Sequence, residues 1–436
     1  MENFHYSTRN ITEEKIQPSQ LEAIGFSPIF VLFPIILYLL LVFIFRHHRL
    51  RQLLEDYPYT TRRSLRDMTN EDAFFIQQII GELEFPFTFE KALQFALFRT
   101  YGIPSISKLL VETRQFSQKG TSTKRYTDTV VLIAEFAGYH PQSERSIEAI
   151  ARMNFIHHQY QKSGKISNDD MLYTLSLFAG EPVRWIDKYE WRRLEDPEKC
   201  AIGTFWKAMG DAMGIGYEKL KSGGDGGEGW RDGLQWFEEV VEWAEGYEMN
   251  CMVPDQNNRD TADHTVDILL WSVPNLMKPF GRKVVSALMD DRLRKAMIFE
   301  QPPTFHFALV NVLFTIRKLF IRFLCLPRPF PLRVHNPTDE PSCDGRYFMT
   351  NWETEPWYVQ PTFRNRWCRL QSWASWAMGL PVPGDGGDKY WPQGYKIHEI
   401  GPESMRGKGE SYVRGSRETL VDERMKGCPF SRTKRD

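Results

Sequence analysis

The sequence predicts a mainly α-helical protein with one N-terminal transmembrane helix. Three observations carry this: a charge-free apolar run near the start, long segments with helical periodicity behind it, and few β-branched runs. The chain has 436 residues, 42% of them hydrophobic, enough for one large or two ordinary domains around a substantial core. Lysine and arginine number 55 against 56 acidic residues, so the net charge of −1 gives no electrostatic reason to expect nucleic acid as a partner. Aromatic residues make up 14% of the chain, which suits large apolar pockets or membrane contact as well as aromatic-rich packing. The six cysteines include no CxxC pair, which argues against a zinc site or a disulfide framework and fits a reducing compartment.

From Gly25 to Phe45 every residue except Ser27 is apolar or aromatic. A helix of this length just crosses the hydrocarbon layer, and Pro34 inside it is tolerable in lipid. A buried core helix is the other reading of the run. Residues 1–24, with Glu2, Glu13, Glu14 and Glu22, lack the basic start of a cleaved signal peptide, so the run reads as an uncleaved anchor. Arg46, His47, His48, Arg49 and Arg51 follow it directly, which by the positive-inside rule puts residues 1–24 in the lumen and the large remainder in the cytosol. Asn10-Ile11-Thr12 is a glycosylation sequon on that lumenal side.

Residues 46–69 read as a basic juxtamembrane linker and residues 70–326 as a helical domain. Helical periodicity runs from Asn70 to about Tyr247, with breaks at Gly102-Ile103-Pro104, Gly138 to Pro141 and Ser163-Gly164-Lys165. Ser167-Asn168-Asp169-Asp170 has the composition of a helix start. Gly223 to Gly229 reads as a flexible loop, making the Trp230 to Tyr247 helix a separate piece; Gly224, Gly226 and Gly229 match GxGxxG, but no strand pattern precedes them. Phe305 to Leu326 is apolar but interrupted by His306, Arg317, Lys318 and Arg322. It is either an amphipathic helix on the membrane surface or plain core. Residues 327–436, rich in Pro, Gly and Trp, are expected to form an irregular extension packing over the helical body.

Helical spacing puts Met153, Asn154, His157 and Tyr160 on one face, with His158 pointing elsewhere. Such a mixed polar face is either a core with satisfied partners or a site where a neutral imidazole ligates a metal. Upstream, Arg125, Asp128 and Thr129 share a face at i, i+3 and i+4, either as a helix cap with a local ion pair or as a functional set. Cys428, in Gly-Cys-Pro-Phe, has the form of a thiolate haem contact but lies in a polar tail.

Several long motifs go together: Lys124-Arg125-Tyr126-Thr127-Asp128-Thr129, ARMNFIHHQYQKSGKISNDDMLYTL (151–175), KYEWR (188–192) and GTFWKAMGDAMGI (203–215), with ELEFP (82–86), LQFALF (93–98) and GCPF (427–430). In this combination the chain resembles, over nearly its whole length, the fungal ER-bound oxygenase family, best known for cleaving a farnesyl side chain in mycophenolic acid biosynthesis. That family is distantly similar to the bacterial latex-clearing rubber oxygenases. The resemblance implies a helical haem-binding domain carrying haem b, with His157 as the iron ligand and Asn154 and Tyr160 beside the cofactor. It also implies a catalytic set of Arg125, Asp128 and Thr129. Asp128 stands where the rubber oxygenases have lysine and would accept a proton, pair with Arg125 or hydrogen-bond an oxygen species. Glu112 and Glu135 are candidates for the family's catalytic glutamate by proximity only, and Phe136, Phe155 and Phe178 for the pocket wall. The implied partners are O₂, a lipophilic prenylated small molecule and the endoplasmic reticulum membrane. The implied activity is oxidative cleavage or other oxidation of an isoprenoid side chain in meroterpenoid-type secondary metabolism. A hydroxylase or oxidative cyclase for another natural product, and a non-catalytic membrane scaffold, are the competing readings. No oligomeric state follows from the sequence.

Overall fold

The computed structural model describes residues 28–113, 122–224, 229–424 and 427–430. The Asn10 sequon and the segment 1–24, expected in the lumen, lie outside the described residues. Among the described residues the chain is helical, and the β contact is an isolated antiparallel bridge between Tyr347 and Tyr395.

The apolar run forms α1 (Pro28–Phe45), with Pro34 inside it, and α2 (His48–Asp56) follows almost directly. Among the described residues one stretch, Leu32–Asp56, is long and apolar enough to cross a membrane. The basic segment behind α1 is not a loose linker. Arg46 is 5% exposed, lies over the Trp191 ring and donates to the carbonyls of Ile321 and Cys325, while Arg49 pairs with Glu84 at 2.6 Å.

The body comprises α3 (Asn70–Gln78), a π-helical turn at Ile79–Glu84, α4 (Pro86–Thr100), α5 (Pro104–Glu112), α6 (Ser122–Gly138), α7 (Glu144–Lys162), α8 (Asn168–Tyr189) and α9 (Asp196–Ala212). It continues through α10 (Gly233–Cys251), α11 (Gln256–Leu269), α12 (Lys278–Leu288), α13 (Asp291–Ala296) and α14 (Thr304–Leu324). The starts are set locally: the side chains of Thr69, Ser143, Ser167 and Asp232 accept N-terminal backbone N–H groups of α3, α7, α8 and α10. At α9, Glu195 and Glu198 form a reciprocal capping box, with Pro197 in the first turn.

α8 is the central helix: Leu172, Leu175, Ala179, Trp185 and Ile186 are buried, and it packs on α4, α9 and α10. A charged cluster crosses this core, where Arg99 makes a two-pronged contact with Glu248 at 2.6 and 2.7 Å and Tyr173 donates to the same carboxylate at 2.9 Å. The helix after the glycine-rich loop is not a separate piece, contrary to the sequence expectation. Gly203 of α9 and Gly233 of α10 meet so closely that a β-carbon on Gly203 would stand 2.1 Å from the Gly233 carbonyl oxygen, which locks α10 against α9.

α14 lies beside α1 and α12, with the Tyr38 hydroxyl donating to the Leu324 carbonyl at 2.9 Å. Its Leu313, Ile316, Phe320 and Phe323 are exposed, so plain core does not describe it. Beyond it the chain runs irregularly through α15 (Phe363–Trp367) and α16 (Leu370–Ala377) to α17 (Glu410–Arg424), which packs on α7. This extension contributes to the core through the buried Trp357, Tyr358, Tyr395 and Ile397.

Candidate active site

α6 and α7 pack against each other and, with α4, α5, α8 and α9, enclose a cavity of about 250 Å³. Its walls are apolar, among them Leu132, Phe136, Ile156, Phe178, Trp206 and Met209. On α7 the residues that reach it are Met153, Ile156, His157 and Tyr160, one stripe at helical spacing. On α6 they are Arg125, Thr129, Leu132, Ile133 and Phe136. The structure therefore brings together four of the six residues expected at the site: His157, Tyr160, Arg125 and Thr129.

His157 sits in the wall with its Nδ1 atom buried and without a hydrogen-bond partner. Burial pushes its imidazole down to about 4, and the nearby Arg125 charge pushes in the same direction, so the ring is neutral at physiological pH. Arg125 has a buried Nε, also without a partner. Thr129 donates its hydroxyl to the Arg125 carbonyl at 3.0 Å, leaving its oxygen as an acceptor toward the cavity. Tyr101, which the sequence reading did not single out, faces the same space; burial pushes its phenol up to about 12, opposed by Arg125.

Two expected residues are placed elsewhere. Asp128 is 2% exposed and turned toward the C-terminal extension, where it accepts from Lys124 at 2.8 Å and Tyr358 at 2.7 Å. Burial raises its carboxyl, and Lys124, Tyr358 and Arg125 act against that shift. Its partners make it a strut between α6 and the extension, not a group presented to the cavity. Asn154 donates to the Ala212 carbonyl at 2.8 Å and caps the end of α9 outside the cavity. It and the other flank of His157 border an outer pocket of about 500 Å³ closed by α17.

The acidic candidates also part ways. Glu135 is fully buried but bound by Arg145 at 2.7 and 2.8 Å, and Glu112 reaches Lys165 at 3.4 Å; neither lines the cavity. Phe136 and Phe178 are wall residues, whereas Phe155 packs on Gly409 and the Tyr412 ring. Cys428 contacts the Arg66 carbonyl at 3.4 Å, on the juxtamembrane turn, and is not a cavity residue.

A flat metal-bearing ligand suits this donor set. It offers one neutral, buried imidazole whose Nδ1 has no protein partner, apolar walls, and a guanidinium within electrostatic reach. Among the described residues no three His, Cys, Asp or Glu side chains converge as metal ligands, so a metal seated here takes most of its ligands from a cofactor.

No family model matches the chain. The ER-bound oxygenase mpaB' of Penicillium brevicompactum is 48% identical to it over 393 residues, 90% of this chain and 92% of the relative. The ER-bound oxygenase mpaB of the same organism is 46% identical over 379 residues, 87% of this chain and 89% of the relative. In Penicillium roqueforti strain FM164, the ER-bound oxygenase mpaB is 52% identical over 265 residues, 61% of this chain and 88% of the relative. Similarity of this extent, on a helical body with one apolar N-terminal helix, shows that the chain is an oxygenase belonging to the fungal ER-bound oxygenase family.

Proposed function

We propose that this oxygenase is haem-dependent and oxidises, by cleavage or otherwise, an isoprenoid side chain of a lipophilic fungal metabolite. The observation that carries the reading is His157: a neutral imidazole with an unpartnered buried Nδ1, in the wall of an apolar cavity that Arg125 also enters. His157 would hold the iron of haem b. Bound haem supplies activation of O₂ for attack on a carbon–carbon double bond.

The protein's own groups supply the setting. Leu132, Phe136 and Phe178 exclude water and accept an apolar chain. Arg125 provides fixed positive charge where negative charge develops on oxygen, and the Thr129 oxygen is an acceptor one turn along the same helix. Tyr160 lines the end of the cavity where Lys165 and Asp170 make it polar.

The domain sits on the cytosolic face of the endoplasmic reticulum, with the chain crossing once and its N-terminus lumenal. The basic cluster behind α1 supports that orientation. α14, packed on α1 with an exposed apolar face and with Lys318 and Arg322 along it, lies in the bilayer interface.

An absorption spectrum of detergent-extracted protein tests the cofactor, with wild type beside His157→Ala. A Soret band is expected in the first and not in the second, with helical circular dichroism unchanged. The same pair incubated with a farnesylated phenol under ¹⁸O₂ should differ in labelled carbonyl product. A wild type without the band, or a band that survives His157→Ala, overturns the reading.

A further inference from the structure

A second apolar cavity, of about 230 Å³, lies between α4, α6 and the segment 334–357. Leu97 and Ile133 line both it and the cavity of His157, so the two chambers share these side chains as a partition. The chain's own helices set the distance. On α4, Glu90, Gln94 and Leu97 follow one another at i, i+4 and i+7, and on α6 Tyr126, Val130 and Ile133 do the same. Each row covers about 10 Å from a polar end to the partition.

The polar end is built. Glu353 accepts from Gln94 at 2.7 Å and Tyr126 at 2.9 Å and pairs with Lys91, while Glu90 accepts from Gln94 at 3.2 Å. Burial raises the Glu90 carboxyl, Lys91 opposes this and Glu353 adds to it, whereas Glu353 is held low chiefly by Lys91. Glu90, whose side chain is half exposed, is thus the carboxyl of the pair that takes up a proton first.

Two further wall residues have polar atoms with no partner in the protein. The Gln77 amide oxygen and the Trp352 indole nitrogen are both buried and unpaired, in residues 3% and 7% exposed. An orphaned acceptor and an orphaned donor in one cavity wall are costly unless a ligand answers them. Tyr126, Trp352 and Trp357 add aromatic faces. Outside the polar end, a surface pocket of about 570 Å³ shares Gln94, Tyr126, Trp352, Glu353 and Thr354 with the second cavity. Its wall includes α16, whose Leu370, Trp373 and Trp376 are exposed.

We propose that this second cavity is a head-group subsite. It takes the hydroxylated aromatic head of an amphiphilic substrate, whose apolar tail passes Leu97 and Ile133 into the cavity of His157. Head hydroxyls meet Glu90 and the Gln77 amide oxygen, a ring or carbonyl oxygen meets the Trp352 N–H, and the ring lies among the aromatic side chains. Substrate enters from the surface pocket beside α16. The assignment rests on reading the His157 cavity as the reaction chamber.

The test is photo-crosslinking of the full chain in detergent with a farnesyl hydroquinone that carries a diazirine on the ring. Labelled peptides are expected within 77–90 and 349–357, and unlabelled farnesyl hydroquinone should compete. Ala134→Trp fills the second cavity without touching the first, and should cut labelling at least tenfold while any Soret band persists. Should that variant fail to fold, Glu90→Leu serves instead. Wild type should bind the O-methylated hydroquinone about tenfold more weakly than the free one, and Glu90→Leu, which removes the acceptor, should narrow the gap. Labels confined to 100–113 and 153–178, labelling indifferent to Ala134→Trp, or no saturable labelling would each overturn the subsite. A wild type lacking the Soret band but labelled at 349–357 would sink the haem assignment and leave the subsite standing.

Discussion

At the scale of single residues, two separable influences hold His157 neutral: burial and the Arg125 charge. In the cofactor-free protein its imidazole is depressed from the ordinary 6.5 to about 4. Within that window the unfolded chain binds the extra proton and the folded chain does not. The contribution to stability is therefore intact above about pH 6.5 and is lost as pH falls toward 4. Arg125→Gln removes the second influence, so the His157 titration, followed by NMR, should move upward. An unmoved titration would show that the two side chains do not share a chamber. Periodicity put His157 and Arg125 each on a helix face, but only the family resemblance set the two in one site; in the structure both line the same cavity. Asp128 was not: i, i+3 spacing put it with Arg125, yet its partner Tyr358 lies 230 positions away and turns it to the other side. Asn154 failed for a similar reason, since the Ala212 carbonyl it caps belongs to another helix end. Glu90 and Glu353 carried no local signal, being joined only when the extension folds back.

At the scale of elements, helix starts were the most readable features. Ser167 before α8 is a cap of the expected kind, and the breaks at Gly102, Gly138 and Gly164 all separate helices. The attachment of α10 was unreadable, because the close approach of Gly203 and Gly233 is a contact between helices that a glycine-rich loop upstream does not announce. The two readings of α14 needed its neighbours to separate them. Beside α1, with Arg46 and Tyr38 both bonded to its C-terminal end, its exposed apolar face continues the surface of the anchor. A cysteine at Phe320 should accordingly react with a lipid-soluble maleimide in microsomes and resist a charged aqueous one. Fast aqueous labelling would place α14 outside the bilayer interface.

For the whole molecule, the deciding feature is how the C-terminal extension is tied down. Arg152 of α7 is 1% exposed and donates to the carbonyls of Ile400, Met405 and Lys408 at 2.8, 3.0 and 3.1 Å. Arg152→Ala leaves three acceptors without this donor and should cost about 3 kcal/mol or more. Limited proteolysis within 397–424 reads out the loosening. The Soret band expected under the proposed function should survive it, because residues 97–215 wall the His157 cavity by themselves. Equal protease resistance of variant and wild type would refute the anchoring role. Composition and irregular periodicity gave the extension's location on the helical body, but not that it completes a cavity.

Because the two chambers are walled by different parts of the chain, they differ in when they can exist. The ribosome finishes residues 97–215 well before 334–357, and the roughly 140 positions between the two ends take it on the order of 7–28 s. During that interval the nascent chain, with its anchor already made, has one vessel shaped and its neighbour still an open trough. The order of synthesis therefore gives the second cavity its wall last, with Leu97 and Ile133 already made on its other side.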